Sequence, residues 1–317
     1  MRLAFLGCGK IARAHAKRLK KHARHVTLGF ASRDGARANE YAAQLGGEAY
    51  ASYEAAIASP DVDAVAVVTP PSSHLELTLA GLRAGKHVVL EKPPLLEAKH
   101  FDDVEAAARA SGKRVFVAEN YQYKPLLRRM RDLLARDMVG DVLFIHINAI
   151  KKQTTEGWRA DPAVVGGGAL FEGGIHWVDF MANLGLPVRG VRGMRPALAA
   201  GSTLERSMLV EFQYDRAVGT LAYSWEVPST AKGLRLSKIY GREGTITFET
   251  NGLWVLLHGR KTRFYIPGLR DLSGYHAMWA DFVNAWVTDS EPLMTLAKAR
   301  RDLELVEQAY ATVPEET

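Results

Sequence analysis

The chain carries a single cysteine, Cys8, among its 317 residues. One thiol excludes an intramolecular disulfide and a cysteine-rich zinc site, which suits a reducing compartment and predicts a cytoplasmic location. Long apolar runs are also missing: none reaches the roughly 18 residues that a membrane-spanning helix needs, so no membrane partner is expected. Leu6-Gly7-Cys8 superficially resembles a lipoprotein cleavage site. The apolar run before it, Leu3 to Leu6, is far shorter than the roughly 7–15-residue core of a signal peptide.

Acid is absent from the start of the chain, where nine Lys and Arg residues precede Asp34. That region and the net charge of +6 would attract phosphates. Arg13, Lys17, Lys20, Lys21 and Arg24, however, recur at the spacing of a solvated helix face, and no nucleic-acid partner is expected. His15, His22 and His25 read as surface residues of the same segment. With 47% apolar and 24% charged residues, the composition is that of an ordinary globular protein. The length exceeds what one core supports and predicts two domains.

Through residue 120, short apolar β-branched runs alternate with helical patterns. Strands are expected at Arg2 to Leu6, His25 to Ala31, Ala64 to Val68, His87 to Leu90 and Val115 to Ala118. Helices fall between them, at Lys10 to Lys21, through Leu45, at His74 to Ala84 and at Ala98 to Ser111. This alternation predicts an α/β domain with a parallel sheet over residues 1–120. In the second domain, residues 121–317, a helix near Leu126 to Arg136 leads into the strand Val142 to Ile150. Six further strand-like runs between Ser207 and Ile266 are joined by turn signals such as Asn251-Gly252, which predicts a large, mostly antiparallel sheet. Helices near Tyr275 to Val287 and Leu296 to Ala311 close the chain, the last packing back on the first domain. One open apolar face of the sheet predicts a homodimer or homotetramer.

Gly7-Cys8-Gly9-Lys10-Ile11-Ala12 lies between the first strand and the first helix, as G-x-G-x-x-A does in a dinucleotide-binding unit. Gly7 permits the tight turn, Gly9 lets the backbone approach a pyrophosphate, and Ala12 allows close packing. The following helix offers free N–H groups and a partial positive charge to the phosphates. An NAD site usually places an acid about 20 residues further on, at the end of the second strand. Here that strand ends Ala31-Ser32-Arg33. A hydroxyl beside a guanidinium, with Arg37 one turn later, suits a 2′-phosphate and predicts NADP(H) in preference to NAD(H). The alternative is that Arg33 and Arg37 are ordinary surface residues.

Two further segments join the glycine turn. Ala84-Gly-Lys-His-Val-Val-Leu-Glu91-Lys92-Pro93 follows a strand ending Thr69-Pro70-Pro71, with His74 beyond it. Trp158-Arg159-Ala-Asp-Pro precedes Gly166-Gly-Gly-Ala-Leu-Phe-Glu172-Gly-Gly-Ile-His176-Trp-Val-Asp179. In this order and spacing they resemble the Gfo/Idh/MocA oxidoreductases, the glucose-fructose oxidoreductase and inositol dehydrogenase family, over essentially the whole chain.

The resemblance implies a Rossmann domain followed by an α/β domain, with catalysis in the cleft between them. It implies that Thr69, Pro70, His74, Glu91, Lys92 and Asn120 join the glycine turn in holding the cofactor, and that Lys92, Glu172 and His176 lie beside the nicotinamide. Oxidising a secondary alcohol requires a hydride acceptor and a base. Histidine titrates nearest neutrality and makes His176 the expected acid/base, with Lys92 polarising the carbonyl or steadying a developing alkoxide.

Glu172 departs from the aspartate common at its position, which shifts the carboxylate by about one methylene. In a Glu-x-x-x-His pair on one helix face it would orient the imidazole or bind a sugar hydroxyl. Tyr121, Trp158 and Arg159 are further substrate-binding candidates, beside Tyr123, Lys151, Tyr275 and His276, each with a core or surface alternative. No metal is expected, since no histidine or cysteine cluster accompanies Glu172 and Asp179. The Lys92-Pro93 bond is a candidate for the cis form.

The expected activity is therefore an NADP-preferring dehydrogenase or reductase acting on a sugar, polyol or related small molecule. A nicotinamide-dependent glycosidase of the same family and a non-catalytic NADP-binding sensor are the alternatives.

Overall fold

The structure, a computed structural model, describes residues 1–22, 24–198, 201–228 and 234–314. The chain divides into two compact units, Met1–Glu119 with Tyr275–Arg300, and Asn120–Gly274 with Arg301–Thr317.

In the first unit β1 (Arg2–Leu6), α1 (Lys10–Leu19), β2 (Thr27–Ala31), α2 (Gly35–Leu45), β3 (Glu48–Tyr50), α3 (Tyr53–Ala58), β4 (Ala64–Val67), α4 (His74–Arg83), β5 (His87–Leu90), α5 (Phe101–Ser111) and β6 (Val115–Val117) follow one another. The six strands pair in parallel in the order β3-β2-β1-β4-β5-β6. Every residue of β4 is buried, as expected of a strand covered on both faces. That is why these strands read as unbroken apolar runs. The strand order reverses between β1 and β4, and in open α/β sheets the carboxyl ends at such a reversal are where ligands bind.

β3 and α3 have no counterpart in the sequence expectation. β3 is a three-residue edge strand with its first residue exposed, too short and too wet for a periodicity to register. Its approach to β2 depends on Gly47, at φ 136°, where a Cβ would stand 2.3 Å from the Leu28 carbonyl oxygen.

The second unit contains α6 (Pro125–Ala135), β7 (Val142–Ile150), α7 (Pro162–Val165), α8 (Ile175–Ala182), β8 (Val188–Met194), β9 (Ser207–Tyr214), β10 (Val218–Ser224), β11 (Leu236–Gly241), β12 (Gly244–Glu249), β13 (Val255–His258) and β14 (Arg263–Tyr265). Its eight-stranded sheet runs β14-β13-β12-β11-β7-β10-β9-β8. β7 and β10 are parallel and the other pairs antiparallel. β8 went unforeseen because its sequence, VRGVRGM, mixes glycine and arginine into the alternation. Along β7, Ile145, Ile147 and Ala149 are buried and face α8, whose Phe180 ring lies 6.3 Å from that of Phe248. The opposite face brings Phe144, Val218, Leu209 and Leu236 to one open surface by register.

The chain ends with α9 (Tyr275–Thr288), which packs on α1 in the first unit, and α10 (Leu296–Ala311), within which the boundary at Arg300 falls. No helix among the described residues is long and apolar enough to cross a membrane.

His74 joins the ends of two strands in the first unit. Its Nε2 lies 2.9 Å from the Thr69 carbonyl oxygen, and its Nδ1 lies 2.9 Å from that of Pro93 and 3.2 Å from that of Pro94. Three carbonyls favour a proton on each nitrogen, but complete burial opposes the charge more strongly and holds the pKa below the ordinary histidine value. Burial lowers His87 and His22 in the same direction. A pKa lower in the folded than in the unfolded chain means that the unfolded chain binds more protons between the two values. The stability these histidines contribute is therefore complete above the unfolded value of 6.5 and is lost as the pH falls toward the folded ones. Denaturant titrations from about pH 7 to about pH 5.5 should show falling stability, with a shallower fall in His74→Gln. A slope unchanged by that substitution would remove His74 as a cause.

Candidate functional site

In the first unit the expected cofactor residues gather along the carboxyl edge of the sheet, because each directly follows a strand. Gly7 and Gly9 follow β1, Ser32 and Arg33 follow β2, Thr69 and Pro70 follow β4, and Glu91 and Lys92 follow β5. Gly7 has φ 114°, and a Cβ there would press 3.0 Å from the Val68 carbonyl oxygen, so the turn excludes other residues. Gly9 caps α1 without any side-chain hydrogen bond, α1 has no acid in its first turn, and a Cβ at Gly9 would meet nothing within 4 Å. Open space over unsatisfied N–H groups of a ten-residue helix fits a diphosphate. Lys10 is exposed beside it and Ile11 partly exposed, while Ala12 is buried against the strands. Tyr41 supports the turn from α2 by donating its hydroxyl to the Gly9 carbonyl at 3.0 Å. Burial pushes the Cys8 thiol up to about 11, so this residue fills space in the turn as a neutral group.

At the end of β2, Ser32 is buried and Arg33 and Arg37 are exposed. Asp34, the nearest acid, is the N-cap of α2, where its carboxylate accepts the Ala36 N–H at 3.0 Å. Near β4, Ser73 donates to the Pro70 carbonyl at 2.9 Å and lies 2.7 Å from the Thr69 hydroxyl. Lys92 is half-buried and its bond to Pro93 is cis. Its backbone N–H donates to Glu91 Oε2 at 2.9 Å. Burial pushes the Glu91 carboxyl up, but the hydrogen bond from His15 and the charge and amide of Lys92 pull it further down, leaving it below the usual carboxylate range.

The second unit collects the remaining expected residues. Asn120, Tyr121 and Tyr123 occupy one helical turn before α6. The His176 imidazole stacks on Tyr121 with centroids 4.4 Å apart and planes 13° off parallel, and the Lys124 ammonium lies 4.4 Å from the same ring centroid. Trp177 meets Tyr121 edge-on at 5.1 Å. Asn120 is 3% exposed, its Nδ2 donates to the Ser273 carbonyl, and its Oδ1 has no hydrogen-bond partner among the described residues. Glu172, 5% exposed, accepts from Arg159 Nε at 2.9 Å, and the Arg159 guanidinium also lies over the Trp158 ring at 4.4 Å. A cavity of about 180 Å³ opens beside Arg159, lined also by Thr155, Gly167, Glu205, Arg206 and Trp225.

Glu172 does not sit in a regular α-helix as its spacing to His176 suggests. Leu170–Gly174 form a π-helical turn that runs into α8. Its first turn is capped by Glu205, a buried residue that the sequence reading did not single out. Its Oε1 accepts the Leu170 N–H at 2.8 Å, and the Tyr310 hydroxyl accepts the Phe171 N–H at 3.1 Å while donating to the same Glu205 oxygen at 2.9 Å. First-turn amides have no partner inside the helix, so these side chains satisfy them, and such wide turns often mark functional positions. Burial pushes the Glu205 carboxyl up despite these donors.

His15 is a second correction. Expected at the surface, it is 1% exposed, between Glu91, Tyr275 and Trp279. The signal was present: Ala12, His15, Ala16 and Leu19 form the buried stripe of α1, at the spacing of one helix face. Tyr275, considered for the pocket, packs its ring on His15 and carries the Arg18 guanidinium at 4.5 Å. Among the described residues no group of three or more His, Cys, Asp and Glu is placed to hold a metal.

Comparison with known proteins extends this geometry. Residues 1–119 match the model of an oxidoreductase family with an NAD-binding Rossmann fold, and residues 127–247 match the GFO/IDH/MocA C-terminal domain. A 1,5-anhydro-D-fructose reductase of Ensifer adhaerens is 33% identical over 142 residues, 44% of this chain and 43% of that protein. A trans-1,2-dihydrobenzene-1,2-diol dehydrogenase of Danio rerio is 27% identical over 77% of this chain and 74% of its own length. The stretches matched in the first curated relatives span between 43% and 63% of those proteins. Among solved structures, GenD2 from gentamicin A biosynthesis, in complex with NAD, superposes with a TM-score of 0.85 at 25% identity, covering 98% of this chain and 93% of the other. With one unit answering to the family's nucleotide-binding half and the other to its C-terminal half, the chain belongs to the Gfo/Idh/MocA oxidoreductase family.

Proposed function

We propose that this protein is an NADP-preferring oxidoreductase that interconverts a secondary alcohol and a carbonyl on a sugar, polyol or related small molecule. The observation that carries the reading is the placement of Lys92 on the same sheet edge as the uncapped glycine turn, with its backbone clamped by Glu91. Bound along that edge, a nicotinamide cofactor supplies the hydride acceptor or donor.

The chain's own residues supply the rest. Lys92 donates from Nζ to the substrate oxygen and steadies negative charge there as the C–H bond breaks or forms. His176 removes the hydroxyl proton in oxidation and returns it in reduction. Tyr121 holds the imidazole plane by stacking. Glu172 and Arg159, paired in the wall of the second unit, offer a carboxylate and a guanidinium to sugar hydroxyls. His74 braces the chain at Thr69 and Pro93. The names of relatives that reduce sugars support this substrate class.

Preference for NADP is supported by the commitment of Asp34 to its helix cap, which leaves Ser32, Arg33 and Arg37 at the strand end. Fluorescence titration should show tighter binding of NADPH than of NADH. Arg33→Ala should weaken NADPH by about tenfold, the scale of a charge-assisted hydrogen bond, while leaving NADH unchanged. Tighter binding of NADH by the native protein would refute the preference.

Reduced-nicotinamide absorbance, followed over a panel of sugars and polyols, tests the activity itself. Lys92→Ala and His176→Ala should each lower kcat by about 10²- to 10⁴-fold. Turnover unchanged in either variant removes the role given to that residue.

We also propose that a second copy of the chain covers the open sheet face, where Phe144, Leu209, Val218 and Leu236 are between 36% and 50% exposed. Light scattering should find a dimer or tetramer that Leu209→Lys combined with Val218→Lys dissociates. A monomeric native protein would end this proposal.

A further inference from the structure

Beneath the Glu91-Lys92-Pro93 corner, wholly within the first unit, runs a buried polar chain that the proposed reaction does not itself use. Glu91 is 5% exposed and His15 1%. His15 Nε2 lies 2.7 Å from Glu91 Oε1, and Glu91 Oε2 accepts the Lys92 N–H at 2.9 Å. Across the imidazole, Trp279 Nε1 donates to His15 Nδ1 at 3.0 Å. Tyr275 and Trp279 shut the ring in with edge contacts at 5.3 and 5.4 Å.

Counting donors fixes the protons in this chain. An indole N–H can only donate, so His15 Nδ1 must present its lone pair. The one proton of the neutral imidazole is then on Nε2, aimed at Glu91. Both Glu91 oxygens face donors, which only a carboxylate satisfies without loss. The direction is therefore set from α9 inward: Trp279 donates to His15, His15 to Glu91, and Glu91 receives Lys92 from the other side.

We propose that His15 is a positioning residue for Lys92: held in one tautomer by Trp279, it fixes the Glu91 carboxylate that in turn fixes the Lys92 backbone. This rests on the reading of Lys92 as the group that meets the substrate oxygen. Packing alone does not require any one tautomer; the chain does, and that difference can be measured.

Glu91→Gln keeps the shape but brings one acceptor and one donor to a place that presents two donors. Relief requires His15 to move its proton to Nδ1, where it would point at the Trp279 N–H. Trp279 thus forbids the repair, and removing its N–H should permit it. Trp279→Phe, harmful by itself, should rescue Glu91→Gln, whereas two losses of packing would add.

The test uses four full-length proteins: native, Glu91→Gln, Trp279→Phe and the double variant. Nitrogen-15 spectra of histidine-labelled protein report the His15 tautomer, assigned by the signal lost in His15→Gln. Lysine-labelled protein reports the Lys92 amide hydrogen bond. The native protein should show the Nε2–H tautomer and a strongly hydrogen-bonded Lys92 amide. That amide should shift in Glu91→Gln and return in the double variant, with His15 now protonated on Nδ1.

With NADP and an active sugar or polyol, kcat of the double variant should exceed that of Glu91→Gln by about tenfold, while the NADPH dissociation constant stays within about twofold. A native His15 protonated on Nδ1, or a double variant whose Lys92 amide is no closer to native than that of Glu91→Gln, overturns the proposal. Full turnover in Lys92→Ala would instead defeat the reading of Lys92 while leaving the tautomer result intact, so the two failures are distinguishable.

Discussion

An ionised carboxylate removed from water must be answered by donors, and in each unit one buried glutamate organises its surroundings through that demand. Glu91 draws in the His15 imidazole and the Lys92 amide. Glu205 draws in the Leu170 amide and the Tyr310 hydroxyl. Neither requirement is local. His15 lies 76 residues from Glu91, and Tyr310 lies 105 residues from Glu205. The consequence in the first unit is a lysine whose backbone has little freedom at the carboxyl edge of the sheet. In the second it is a capped first turn just ahead of Glu172. Both effects put the cost of desolvating a charge to use as geometry, because the carboxylate is satisfied only while its donors hold their places.

How much of this was legible follows from whether the controlling physics is local. Parallel strands buried on both faces, such as β4, announce themselves as apolar runs, and the glycine turn announces itself because Gly7 must adopt a conformation closed to other residues. The edge strand β3 carries too few residues to establish a period, and β8 breaks its own alternation with glycine and arginine. His15 was misread although its neighbours Ala12, Ala16 and Leu19 marked the stripe as buried, because a histidine among lysines and arginines reads as wet. Glu205 offers no such clue. It is enclosed by Tyr310, Leu170 and Gly168, where a Cβ would stand 1.5 Å from a Glu205 oxygen.

The candidate residues of the two units are brought together by different means, and this explains which of them a motif can describe. In the first unit the residues expected to hold the cofactor come from strand ends, so the chain path alone brings them to one edge. The pairing of His176 with Tyr121, and of Glu172 with Arg159, instead joins segments by side-chain contact across the unit. Stacking at 13° fixes the imidazole plane without using either ring nitrogen, which leaves the ring's polar chemistry to other partners. A sequence motif records that His176 follows the glycines; it does not record the ring that holds it.

Glu172 shows how far a single methylene alters such a site. Aspartate is the residue common at this position in proteins the chain resembles, and a shorter carboxylate would withdraw from Arg159 by about the length of one carbon–carbon bond. The guanidinium would then lose its 2.9 Å partner while still lying over Trp158, and the buried carboxylate would lose a charged donor. Glutamate and Arg159 are thus a matched pair: the longer acid is stable in its buried position because the base reaches it, and the base is oriented because the acid is there. Changing either one alone takes a charged partner from the other, so the length of the acid at position 172 is tied to the reach of Arg159.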